Sequence, residues 1–283
     1  MMMKKTVEPR PYLMVFPAVA LMALVVVYPI FDTVIRSFRS SDGGWSLQNY
    51  RYFFTSPEFW EGLLFTFTEA VIVMLSGMAA SFLLALYLRF SKSPAALLTG
   101  RLYLLPRFVP GIVAVYAVMN MIRDSGFIHR LLLTLGITYK PGMLFDMKGI
   151  VVCNLWFTVP FATMLISAAL SKVEDSYIES ARDVGFSRLS ILWRIILPIS
   201  GKDMTMAAVF IVMGQIGGFT IPYLTGPNNP KMLGIILYQQ AGVYLDYGRA
   251  AALSVLMFLF CLAGAIVYIR TTMKDEIWET GRE

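Results

Sequence analysis

Charge is scarce in this chain. Only 15% of its 283 residues are Asp, Glu, Lys or Arg, against about 25% in soluble proteins. With 57% of the residues apolar, that shortage excludes a soluble globular protein. Histidine occurs once, as His129, which excludes a Ser/His/Asp catalytic set and leaves no Cys/His spacing suited to a metal. Cys153 and Cys261 are the two cysteines, and both lie inside long apolar runs, so no disulfide framework is expected. A G-x-x-x-x-G-K-S/T loop is absent, so the chain does not cradle ATP phosphates by that route. No catalytic constellation remains, and the chain does not read as an enzyme. Its net charge of +6 would suit nucleic acid. The basic residues instead gather at the ends of apolar runs, where they act as membrane anchors and topology signals, and no nucleic-acid partner is expected.

What is abundant is apolar sequence in runs near the length of about 20 residues that crosses a bilayer. Six occur: Tyr12–Ile35, Gly62–Leu88, Leu102–Ile122, Gly149–Leu170, Met204–Leu224 and Arg249–Ile269. An open strand in lipid would leave its backbone unsatisfied, so all six read as helices of one all-α integral membrane domain covering residues 1–283. The first run follows a basic segment, Met1 to Arg10. It exceeds the apolar core of a signal peptide, about 7–15 residues, and reads as a permanent span. An even number of spans puts both termini on one side. Lys4, Lys5, Arg10, Arg89, Lys92, Arg101, Lys172, Arg182, Arg188 and Arg194 fall on that side, which by the positive-inside bias is the cytoplasm. Of the outer segments, residues 36–61 read as partly helical and interfacial. Residues 123–148 hold a short amphipathic helix before Gly136, and residues 225–248 begin as turns.

One cytoplasmic stretch, Ser176 to Pro198, stands out as polar and charged between apolar runs. Its pattern predicts two short helices. Ser176 and Glu179 have the spacing of a capping box, Gly185 suits a left-handed cap, Ser187 suits a second N-cap, and Pro198 is expected to end or kink the second helix. The spacing Glu179-Ser180-Ala181, three residues, Gly185, nine residues, Ile195-x-Leu197-Pro198 resembles the EAA loop of permease subunits of binding-protein-dependent ABC importers. The family pattern has alanine where Ser180 stands. The resemblance implies a type I importer permease fold, with residues 172–201 forming a coupling loop between spans four and five. Its coupling residues would be Glu179, Ser180, Ala181, Arg182, Asp183, Gly185, Ile195, Leu197 and Pro198. It further implies a second permease subunit, most simply a heterodimer, two ATPase subunits that carry the ATP and Mg²⁺, and an extracytoplasmic solute-binding protein. The setting implied is the bacterial inner membrane. No cofactor is expected on this chain.

Candidates for the solute path are the polar residues inside spans. Glu69 is the acidic residue well inside the second span, and intramembrane charge is costly enough to suggest function. It suits a cationic solute, but also a partner subunit's arginine, a wet vestibule or a protonated state. Asn154 and Thr158 in the fourth span raise the same question, as do Gln215, Gly218, Phe219 and Thr220 around Gly214-Gln-Ile-Gly217-Gly218 in the fifth. Interrupted helices often line a transport site, and small residues equally serve tight packing. The run Ala181-Arg-Asp-Val-Gly185 is more similar to polyamine, iron, thiamine and phosphonate importers than to sugar importers, with carbohydrate as the alternative. A gradient-driven secondary transporter centred on Glu69 is the rival from another class.

Overall fold

Long apolar runs satisfy their own backbone hydrogen bonds by coiling, and helices dominate the computed structural model, which describes residues 10–40 and 43–280 and the side chains of residues 14–40 and 43–270. The helices are α1 (10–37), α2 (Gln48–Thr55), α3 (Pro57–Phe90), α4 (Pro94–Leu102), α5 (Gly111–Ile122), α6 (Phe127–Thr134), α7 (Met147–Ser171), α8 (Asp175–Asp183), α9 (Arg188–Ile216), α10 (Thr220–Thr225), α11 (Leu233–Val243) and α12 (Tyr247–Thr280). The β structure among the described residues is a single bridge between Arg39 and Trp45. Six helical segments are long and apolar enough to cross a membrane, with α5 and α6 taken together as one. The basic segment before Arg10 lies outside the described residues.

Contacts gather into two units, one formed by residues 1–56 and 237–256 and the other by residues 57–236 and 257–283. In the first, the end of α1 is tied to α2. Ser37 Oγ and Tyr50 Oη share a hydrogen bond of 2.7 Å, and Asn49 Nδ2 donates to the carbonyls of Ser37 and Arg39. The Arg249 guanidinium lies 3.9 Å from the centre of the Tyr52 ring and pairs with Asp246. The 36–61 segment is thus partly helical, as expected.

In the second unit, α3 lies along α7 in the most extensive helix contact, and α9 packs on both. Small side chains permit it. Ala70, Ala85, Ala162, Ala169 and Ala207 are buried, and Ser81 Oγ donates to the Val159 carbonyl at 3.1 Å. At Gly77 a Cβ would stand 2.7 Å from Thr158 Cγ2. Gly77→Leu is therefore expected to destabilise the chain by about 1–3 kcal/mol, read as a lower detergent-solution melting temperature.

Three boundaries depart from the sequence expectation. The third span is not one helix over 102–122. Pro106 and Pro110 remove two donors, and the chain runs α4, a 3₁₀ turn at Leu105–Phe108, then α5. Arg107 there stacks over Phe161, 5.0 Å from its ring centre. The fifth span is not 204–224: α9 starts at Arg188 and stops at Ile216, where Gly217 and Gly218 interrupt it before α10. Pro198 neither ends nor breaks α9. A π-helical turn at Leu192–Ile196 widens the helix just ahead of the proline ring, with Leu197 N–H bonded to the Leu192 carbonyl. The third difference is α11, an apolar helix that follows the turns at the start of the 225–248 segment and was not anticipated.

Candidate functional site

The polar stretch between α7 and α9 is built from anchored ends and an exposed tip. Arg89, in the last turn of α3, reaches the Val173 carbonyl at 2.7 Å and Asp175 Oδ1 at 2.9 Å. Lys172 pairs with Asp203 of α9 at 2.7 Å. From Asp175 the chain turns helical as α8. Ile178 and Ala181 on its inner face join a buried cluster with Val73, Ala85, Ile166, Leu170, Ile191 and Ile196.

Both ends of α8 can be read against the expected caps. At the start, Ser176 is not the N-cap. The helix begins two residues earlier than expected, at Asp175, with Glu174 at the cap position, and Ser176 Oγ donates instead to Glu174 Oε2 at 3.1 Å. Glu179 therefore does not fold back as a capping-box partner and stands exposed. At the end, Gly185 has φ +88°. Its N–H bonds the Arg182 carbonyl and the Phe186 N–H bonds the Ala181 carbonyl, both at 2.9 Å. These two bonds form a Schellman turn, which needs a left-handed residue at that position. Ser187 then caps α9 by accepting from Ser190 N–H, as expected. Arg194 lies 5.6 Å from the Phe186 ring centre and braces the turn.

The residues of the EAA-like pattern consequently divide. Glu179, Ser180, Arg182, Asp183, Gly185 and Pro198 are exposed. Ala181 is buried, and Ile195 and Leu197 are half-buried, with Ile195 packed on the same cluster as Ile178. The inner three hold the loop to the rest of the chain. Sequence reasoning missed Val184, which is 79% exposed at the tip. Among the loop's other apolar side chains are Tyr177, Leu189 and Trp193, and then Ile178, Ala181 and Ile196. The first three are exposed, Trp193 at 65%, and the last three are buried.

The membrane-embedded candidates fall into two places. Glu69 of α3 is wholly buried, and its Oε1 accepts from Asn154 Nδ2 of α7 at 2.8 Å, while Oε2 is buried without a hydrogen-bond partner among the described residues. Thr158, one turn along α7, packs at Gly77. The others surround the interruption after α9. Gln215 is buried, Phe219 is half-buried and stacks on Tyr223 with ring centres 5.1 Å apart, and Thr220 is exposed. A Cβ on Gly234 of α11 would overlap the Gly218 carbonyl, so these glycines bring two backbones together. Leu233 N–H, beside it, donates to Thr66 Oγ1 of α3 at 3.0 Å. The signal for this packing was present in Met232-Leu-Gly-Ile-Ile-Leu, an apolar run with a glycine inside.

A sequence model described as "Binding-protein-dependent transport system inner membrane component" matches residues 77–270, which contain α8, α9, Asn154 and the Gly217–Gly218 interruption but not Glu69. The spermidine/putrescine transport system permease protein PotB of Escherichia coli is 23% identical over 268 residues, covering 92% of this chain and 96% of that protein. The sulfoquinovosyl glycerol transport system permease protein SmoG of Agrobacterium fabrum is 27% identical over 282 residues, covering 91% and 88%. Among solved structures, a chain of a bacterial ABC transporter involved in the import of the acidic polysaccharide alginate superimposes with a TM-score of 0.78 at 17% identity. It covers 94% of each chain, a likeness of fold.

Proposed function

The chain belongs to the binding-protein-dependent transport system inner membrane component family, as an ABC importer permease subunit, and we propose that it passes a small solute inward when ATPase subunits move its α8–α9 loop. The observation that carries this reading is the loop's build: its inner face is fixed to the chain's own core, and its outer face presents Tyr177, Glu179, Asp183, Val184, Leu189 and Trp193 to a partner. An apolar tip flanked by carboxylates, set on rigid helices, suits insertion into a cleft of a separate subunit. In this reading α8 lies in the cytoplasm with both termini. A second permease subunit completes the passage, and a binding protein delivers solute to the opposite face. ATP closure moves the loop and the spans alternate access around the interruption at Gly217–Gly218.

For the solute, a polyamine or another small cation is the first reading. It is supported by the Ala181-Arg-Asp-Val-Gly185 pattern and by the similarity to PotB. Carbohydrate is the second, supported by SmoG and by the alginate transporter's fold. Neither requires Glu69 to face open water, and Glu69 is enclosed between α3 and α7.

Purification of the chain from its native membrane in mild detergent tests the reading. An ATPase subunit and a second permease are expected to co-purify. Proteoliposomes holding that complex, with its binding protein outside, are expected to take up labelled spermidine only when ATP is supplied inside. ATP-driven uptake of an oligosaccharide with no uptake of spermidine would select the second reading. Transport driven by an ion gradient with this chain alone would overturn both.

A further inference from the structure

Between the end of α3 and the α8–α9 loop runs a groove of about 360 Å³. Leu86, Phe90, Ile178 and Leu192 line it with apolar surface, and Arg182 and Arg188 add two cations. Neither arginine forms an ion pair among the described residues, although Glu179 and Asp183 share α8 with Arg182. The groove begins where the apolar run of α3 gives way to Arg89, and Arg89 is already engaged by Asp175. It therefore sits at the depth where a hydrocarbon core meets its headgroups.

We propose that this groove binds an anionic phospholipid from the leaflet on the α8 side. The phosphate lies between the guanidinium groups of Arg182 and Arg188, and one acyl chain follows Leu86, Phe90 and Leu192. Guanidinium forks match phosphate oxygens, and basic pockets beside spans recruit anionic headgroups. A protein carboxylate would satisfy the arginines but leave the apolar floor uncovered. The lipid fills both halves of the groove. It also joins α3 to α8, so the position of α8 depends on lipid composition. The site goes beyond the transport reading and does not rest on ATPase docking.

The test is a lipid titration of the purified importer complex followed by native mass spectrometry, with phosphatidylglycerol and phosphatidylethanolamine as probes. The wild-type complex is expected to hold phosphatidylglycerol preferentially. In Arg182→Gln/Arg188→Gln its binding is expected to weaken about 25-fold, about fivefold for each basic residue lost. Arg182→Lys/Arg188→Lys is expected to retain most of the binding. Leu86→Trp, which fills the floor and keeps both arginines, is expected to lose it. Equal binding of the two lipids to the wild type would overturn the proposal even if a variant failed to assemble. So would unchanged phosphatidylglycerol binding in the Gln pair. Displacement by millimolar inorganic phosphate would assign the arginines to a free anion, and loss of the ATPase with lipid retained would assign them to an acidic protein surface. Either result overturns the lipid site.

Discussion

Gly185→Val is expected to abolish ATP-driven uptake while leaving the helices folded. At φ +88° a valine is forced into a conformation that costs L residues about 1–2 kcal/mol or more, and β-branched residues most of all. Nothing lies within 4 Å of the Cβ position, so the strain is in the backbone alone. The cheapest relief is to open the Schellman turn, which releases the Arg182 and Ala181 carbonyls and swings Val184 and Phe186 away. The core contacts of Ile178 and Ala181 are upstream of the turn and survive. Uptake in proteoliposomes should fall at least about tenfold, equivalent to about 1.4 kcal/mol of docking energy, with little change in melting temperature. Gly185→Asn, which tolerates the left-handed region, should keep most of the uptake. If valine transports like glycine, the turn does not set the docking geometry.

Asn154→Leu is expected to be the most damaging single change within the spans. It removes the donor that holds Glu69 Oε1 at 2.8 Å and leaves both carboxyl oxygens buried without a partner. Stranding a buried polar group costs about 1–3 kcal/mol, more if it is charged. Glu69→Gln keeps an acceptor for Asn154 and should stay near wild-type stability. The double change Glu69→Met/Asn154→Leu replaces both partners with apolar groups and should recover most of what the single change loses. Thermal unfolding of the wild type, Glu69→Met, Asn154→Leu and the double variant gives the coupling between the two sites. Uptake by the stable double variant then separates two roles. Recovered transport would make the pair a packing element, and a stable but inactive protein would place the carboxyl in the mechanism.

The parts of the fold legible in the sequence were those governed by local chemistry. Apolar run length gave the spans, because backbone groups in lipid have no other partners. Gly185 and Ser187 announced their caps for the same kind of reason, since each acts within a few residues. Features that depend on distant contacts were harder to read. Pro198 looked like a helix end, but the π-turn at Leu192–Ile196 absorbs it. The seat of α11 depends on Thr66 and Gly218, distant in the chain, which receive Leu233 and Gly234. Ser176 looked like a cap, but Arg89 on a helix far earlier in the chain pins Asp175 and starts α8 sooner. The residues expected to carry coupling were proposed from their spacing. Which of them face outward depends on how Ile178 and Ala181 pack into the buried cluster.

The unbroken course of α9 fixes how its two ends can move. It has 29 residues and so spans about 44 Å at about 1.5 Å per residue. It continues through the π-turn and Pro198 without interruption before Gly217, so a movement at one end is carried along it. A tilt of only about 5° imposed near Trp193 therefore carries Gln215, about 33 Å along the helix, through about 3 Å. The glycine pair at 217–218 is where the lever stops, so α10 need not follow the same arc.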